Sequence, residues 1–308
     1  MKTAQYQPFK TALVALDLSY MDEHLIRYTA MLSKVLPLER IFFVHVAKDL
    51  ELPDEVLTKY PDLLAPLDET IETDINKKIA THFGDSEVEV SCTIKEGSPI
   101  QEILKMAKIK IADLIIMGRK KSLEGSGLVT SHLARKCPSS LLLVTEGFNK
   151  HIHNILVPVD FSGHAALAAK HALAMADNSE AKVQLAHVFT VPSGYSKMGK
   201  TYEQFAEIMK SHASHDCENF LRIHELPKDL NCEYLLNGEN KFSRIIYNEA
   251  KELKMDLIIL GSKGRTDASS ILMGSQAEKL AYADGDIPIL IVKNKGENMG
   301  FLETLLGL

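Results

Sequence analysis

Three glycines late in the chain have the spacing of a phosphate-binding loop. Two residues separate Gly261 from Gly264, and nine more separate Gly264 from the pair Gly274-Ser275. Glycine lets backbone N–H groups come close to anionic oxygens. A helix opening at the second pair would add unpaired N–H groups and the positive end of its dipole. Ser275, with Glu278 three positions on, has the spacing of a capping box. Ser262 and Ser275 can donate hydroxyl hydrogen bonds, and Lys263 and Arg265 can add positive charge. The chemistry these residues suit is polyphosphate binding. No Lys-Ser or Lys-Thr follows a glycine of the loop, so it is not a Walker A loop. By spacing alone, the same residues also fit a surface turn followed by a capped helix.

A loop of this kind works only on a scaffold that fixes its two ends, and the chain supplies one twice. TALVALDLS (11–19) recurs as NILVPVDFS (154–162), and ADLIIMG (112–118) as MDLIILG (255–261), at a constant offset. IFFVHV (41–46) pairs with VQLAHV (183–188), and KEGSPIQEI (95–103) with LNGENKFSRI (236–245). The apolar runs lack polar alternation, as strands do when helices cover both faces of their sheet. Helical periodicity predicts helices over 22–36, 164–177, 98–109 and 241–253. The longer segments 48–85 and 190–228 are each expected to carry one helix, and the tail 296–308 a short amphipathic one. Alternating strands and helices give the fold class α/β, as two doubly wound, five-stranded parallel-sheet domains in tandem, 1–147 and 152–308. Such sheets bind ligands beyond the carboxyl ends of their strands, where the winding reverses. The glycine loop follows one of those strand ends.

Composition narrows the function further. The 308 residues carry 35 Lys+Arg against 41 Asp+Glu, a formal net charge of −6. That balance disfavours a nucleic-acid binder, which needs clustered basic charge. An apolar share of 45% excludes general disorder. No apolar run is long enough to span a bilayer, and MKTAQYQPFK has no signal-peptide core. The four cysteines (Cys92, Cys137, Cys217 and Cys232) form no CxxC pair, so a reduced, cytoplasmic protein is expected.

With the loop and the repeat in hand, the chain resembles the universal stress protein family. Residues 261–275 match that family's G-x2-G-x9-G-[ST] nucleotide motif in full, and the likeness extends over roughly 11–144 and 154–292. The resemblance implies Rossmann-like domains of the adenine nucleotide alpha hydrolase type. It implies ATP, ADP or AMP in the second domain, with Mg2+ or Mn2+ accompanying the phosphates. It places the base near Val159, Asp160, Val188 and Gly238, and the phosphates on Gly261, Ser262, Lys263, Gly264, Arg265, Gly274, Ser275 and Gln276. Asp160 could accept a hydrogen bond from an exocyclic amine, which would favour adenine. It could equally be the N-cap of the following helix. In the family, last strands pair across a dimer. The two halves here are expected to pair as an intrachain pseudo-dimer, with homodimerisation through the tail a further option.

The first half departs from the motif. Gly118 is kept, Lys121 replaces the second glycine, and only three residues lead from Lys121 to Gly125-Ser126. A loop six residues shorter is not expected to wrap a triphosphate. Arg119, Lys120 and Lys121 fit either another anion or a solvated basic turn. His45 and His187 occupy equivalent strand positions and read as structural features of the repeat. His212 and His215 share a helix face with Asp216 or Cys217 nearby, short of the three or four well-placed ligands zinc needs. Three functions follow: an ATP-binding regulatory switch in stress response, a slow ATPase, or a nucleotide-independent interaction scaffold. A hydrolase would need a water-orienting base, for which His164 and Asp267 are the nearest candidates.

Overall fold

Five short apolar runs in each half become strands because helices cover both of their faces. The structure is a computed structural model that describes residues 6–50, 67–84, 86–119, 135, 137, 139–148, 151–194, 199, 201–238, 241–264, 273–283 and 285–295. These divide between two compact units. One lies within Phe9–Glu146, and the other within Gly147–Met299 together with the residues before Phe9.

The first unit holds β1 (Thr11–Leu16), α1 (Met21–Leu32), β2 (Arg40–Ala47), α2 (Leu67–Phe83), β3 (Glu89–Glu96), α3 (Pro99–Ile109), β4 (Leu114–Gly118) and β5 (Ser140–Val144). Its strands lie in the order β3-β2-β1-β4-β5, every pair parallel. The second unit repeats the plan. It holds β6 (Asn154–Pro158), α4 (Gly163–Ser179), β7 (Lys182–Phe189), α5 (Tyr202–Ile223), β8 (Cys232–Leu236), α6 (Phe242–Glu252), β9 (Leu257–Gly261), α7 (Ser275–Ala281) and β10 (Ile289–Val292). The order is β8-β7-β6-β9-β10, again parallel throughout.

Burial follows position in the sheet. Leu114, Ile115 and Ile116 of β4 and Leu257, Ile258 and Ile259 of β9 are fully buried. The outer strands β3 and β8 are only half-buried. Two aspartates set the register of the inner strands. Asp113 accepts hydrogen bonds from the backbone N–H groups of Lys10 and Thr11, and Asp256 does the same for His153 and Asn154. Each carboxylate thus ties the start of β1 or β6 to the start of β4 or β9. At the opposite end, the Nδ1 atoms of His45 and His187 hydrogen-bond to the carbonyls of Leu16 and Val159 at 3.1 and 2.8 Å.

The helices meet the sequence expectation with small shifts. α1 ends at Leu32, short of residue 36. Val35 and Leu36 still bond back to the carbonyl of Leu32, and Pro37 ends the run because the residue before a proline avoids helical geometry. Among their described residues, segments 48–85 and 190–228 carry α2 and α5. The expected tail helix, 296–308, lies outside the described residues. Among the described residues, no helix is long and apolar enough to cross a membrane.

Candidate functional site

The strand order reverses between β6 and β9, so their connections leave on opposite faces of the sheet. A crevice opens beyond their carboxyl ends. In the second unit it is a cleft of about 340 Å³, within the size range of small-ligand sites.

Its lower wall begins at the β6 turn. Phe161 has φ +63°, a left-handed conformation rare for a bulky residue. Asp160 supports this turn by accepting the backbone N–H of Ser162 at 3.1 Å. Ser162 is the N-cap of α4, its Oγ accepting from the N–H of Ala165 at 3.2 Å. The cap expected at Asp160 is therefore supplied by Ser162. Asp160 also lines the cleft.

Around it lie Pro158, Val159, Ala165, Val188, Phe242 and Leu260, a largely apolar surface. His187 joins that wall. Its ring stacks on Phe161 with centroids 4.3 Å apart and an interplanar angle of 22°. The bond from its Nδ1 to the Val159 carbonyl fixes its orientation.

The other end of the cleft is backbone and polar. Gly261, Ser262, Lys263, Gly264, Gly274, Ser275 and Gln276 line it. The two ends of the connection are pinned together: the N–H of Gly274 donates to the carbonyl of Ser262 at 2.6 Å, and the N–H of Ser262 to the carbonyl of Val292 at 2.9 Å. Ser262 and Lys263 are buried. Gly274 is the N-cap of α7, in extended backbone and with no side-chain cap bond. The capping box expected from Ser275 and Glu278 does not form, because Ser275 is already the first helical residue. Its N–H and that of Gln276 belong to the first turn, where backbone donors have no intrahelical acceptor.

Gly261 is a glycine for a packing reason. A Cβ there would lie 2.6 Å from the backbone carbon of His164 at the start of α4. This packing constraint stands beside its place on the cleft wall. Among the expected site residues, Gly238 is not on the cleft wall. It is exposed, and nothing lies within 4 Å of an added Cβ. Arg265 and Asp267 lie outside the described residues. Ala165, His187, Phe242 and Leu260 escaped the sequence reading. His187 directly precedes Val188 at a strand end, a usable signal, whereas an alanine and a phenylalanine at helix starts give none.

The first unit differs at the corresponding place. The repeat matches Asp22 to Ala165. Asp22 is buried, and its carboxylate accepts the backbone N–H groups of Asp17 and Leu18, both at 3.0 Å. Burial holds its carboxyl above the usual carboxylate range, against the lowering effect of those two bonds. An acid thus occupies the position where the second unit has a small apolar wall residue. Gly118 is less constrained than Gly261, since an added Cβ would meet only the flexible Met21 side chain, at 3.3 Å. The shortened loop, with Lys120, Lys121 and Gly125-Ser126, lies outside the described residues.

His212 and His215 are exposed on α5 and face Asp216 and Glu218 at 3.8 and 3.9 Å. Cys217 turns inward instead and is buried. Among the described residues, no three metal-ligating side chains cluster.

Comparison with known proteins matches the sequence profile of the universal stress protein family twice, over residues 8–145 and 151–293. A universal stress protein of Methanocaldococcus jannaschii is 28% identical over 156 residues, covering 46% of this chain and 94% of that protein. A universal stress protein E homolog of Haemophilus influenzae is 30% identical over 162 residues, 47% of this chain and 50% of that protein. In fold, a solved structure from Pseudomonas aeruginosa, of a protein of unknown function, covers 97% of both chains with a TM-score of 0.67 at 16% identity. The chain belongs to the universal stress protein family and carries two copies of its domain.

Proposed function

We propose that the second unit binds an adenine nucleotide, ATP in the first instance, and that the protein acts as a nucleotide-dependent regulator in stress response. The observation that carries this reading is the division of one cleft into two chemistries. At one end an apolar slot holds a carboxylate on a rigid turn. At the other, a glycine-bordered connection is tied shut by the Gly274–Ser262 bond beside Lys263 and Ser275. A purine fits the first end and a phosphate chain the second. Asp160 accepts from the exocyclic amine of adenine and meets the carbonyl of guanine unfavourably.

The described residues do not fit a resident metal. Asp160 is the one acid on the cleft wall, so a divalent ion would arrive with the nucleotide, held by phosphate oxygens and water. The first unit is proposed not to bind nucleotide, on the grounds of its shortened sequence loop and the buried Asp22 carboxyl.

Calorimetric titration of the full chain with ATP and with GTP tests the reading. ATP binding with GTP at least about tenfold weaker is expected, and Asp160→Ala should weaken ATP by about tenfold while narrowing that gap, the loss of about one charge-assisted hydrogen bond. Equal affinity of the native chain for both nucleotides would refute the base assignment.

A further inference from the structure

Two of the four cysteines meet away from the cleft, although neither CxxC spacing nor any motif pairs them. Cys217 sits on the inward face of α5 and is 3% exposed. Cys232 is the first residue of β8 and is half-buried. α5 packs along β7 and β8, which brings the two thiols within reach of one another, while the Cys232 thiol donates to the neighbouring Glu233 carbonyl at 3.7 Å. Tyr234 lies two residues on and therefore on the same face of the strand as Cys232. Its hydroxyl contacts Cys217, and it also contacts Ser214 one turn back on α5. The result is a small polar cluster of two thiols and two hydroxyls in the helix–sheet seam.

We propose that Cys217 and Cys232 are a redox-active dithiol, which hydroperoxides convert to an intrachain disulfide joining α5 to β8. The chemistry balances with one oxidant. The Cys217 thiolate attacks the distal peroxide oxygen, an S–O bond forms and the O–O bond breaks. The departing alkoxide takes the proton of the Cys232 thiol and leaves as alcohol. The Cys232 thiolate then attacks the sulfenic sulfur, an S–S bond forms, and hydroxide is expelled. Two thiols are oxidised by two electrons while the hydroperoxide is reduced.

The environment favours this order. The neighbouring Cys232 and Tyr234 draw the Cys217 thiol down to about 7, while Cys232 is pushed up by Cys217 beside it and by burial. The pair thus holds one thiolate near neutral pH, a property of the two sulfurs together. Burial pushes Cys92 in the opposite direction, to about 12, and Cys137 is fully buried, so both serve as internal controls. Two aromatic rings lead from this end of α5 toward the cleft. Phe220, one turn along α5, lies 5.6 Å from Phe161, the ring that stacks on His187. The disulfide itself requires nothing of the nucleotide reading.

The experiment treats the reduced full chain with a small excess of hydrogen peroxide, then maps peptides by mass spectrometry without reductant. Expected are a linked pair of peptides containing Cys217 and Cys232, a fall from four to two titratable thiols in denaturant, and full recovery with dithiothreitol. Cys217→Ser and Cys232→Ser should each abolish the link, and either variant that folds suffices for that comparison. Four thiols surviving the treatment would overturn the proposal. So would a link through Cys92 or Cys137, or separate overoxidation of the two cysteines without a bridge.

Discussion

Gly261 has no room for a side chain. The backbone of His164 occupies the volume that a Cβ would need, and backbone cannot swing aside as a side-chain tip can. Gly261→Ala is therefore expected to force α4 away from β9 and to cost about 1–3 kcal/mol. Gly118→Ala meets only the end of Met21 and should cost well under about 1 kcal/mol. Urea unfolding of the two variants measures the difference, and equal losses would show that the helix approach is not what selects the glycine. The contrast also shows what sequence could reveal at single positions. The glycine spacing was legible, since 261, 264 and 274 stand in one short stretch. The reason for the first of them was not, because His164 lies almost a hundred residues earlier. Gly238 is exposed at the end of β8 and is not among the cleft-lining residues: nearness to a strand end says nothing about which side of it a residue faces.

Helix α4 joins the cleft to the core. Its first turn carries the Ser162 cap and the Ala165 wall, and its middle carries His171, buried against the edge of the Tyr6 ring. Burial lowers the His171 imidazole from 6.5 to about 4. Between those values the unfolded chain binds a proton that the folded chain refuses. The stabilisation is present above about pH 6.5 and is lost as pH falls toward 4. The loss between pH 7 and 5 should be about 2 kcal/mol. Denaturant unfolding at the two pH values should show this slope flattened in His171→Leu, and an unchanged slope would contradict the assignment. At the next element, α7, Gly274 is extended and lines the cleft, so a β-branched residue is conformationally allowed there. Gly274→Val should leave the melting temperature nearly unchanged and weaken ATP at least about a hundredfold, roughly 2.7 kcal/mol. Unchanged affinity would mean that the loop end is not part of the ligand site.

Elements were easier to read than sites. The runs LIIMG and LIILG could be only buried parallel strands, because they carry no polar face. The carboxylate clamps of Asp113 and Asp256 stayed hidden, since both stand at strand starts and become meaningful only once β1 and β4, or β6 and β9, are known to be neighbours. The apolar wall of Ala165, Phe242 and Leu260 was hidden for the same reason, being assembled from three elements far apart in sequence.

At the scale of the whole chain, two copies of one fold have been given different sites. The second unit keeps a small residue at Ala165 and a loop matching the family's nucleotide motif. The first has a buried acid at Asp22 and a loop shortened in sequence. On the proposed reading such a chain would hold one nucleotide, and its response to ligand would come from a single site. The direct measurement is the stoichiometry of ATP on the full 308-residue chain, by calorimetry at protein concentrations well above the dissociation constant. One ATP per chain, falling to none in Gly274→Val, is the predicted result. Two per chain, or one that survives Gly274→Val, would contradict it.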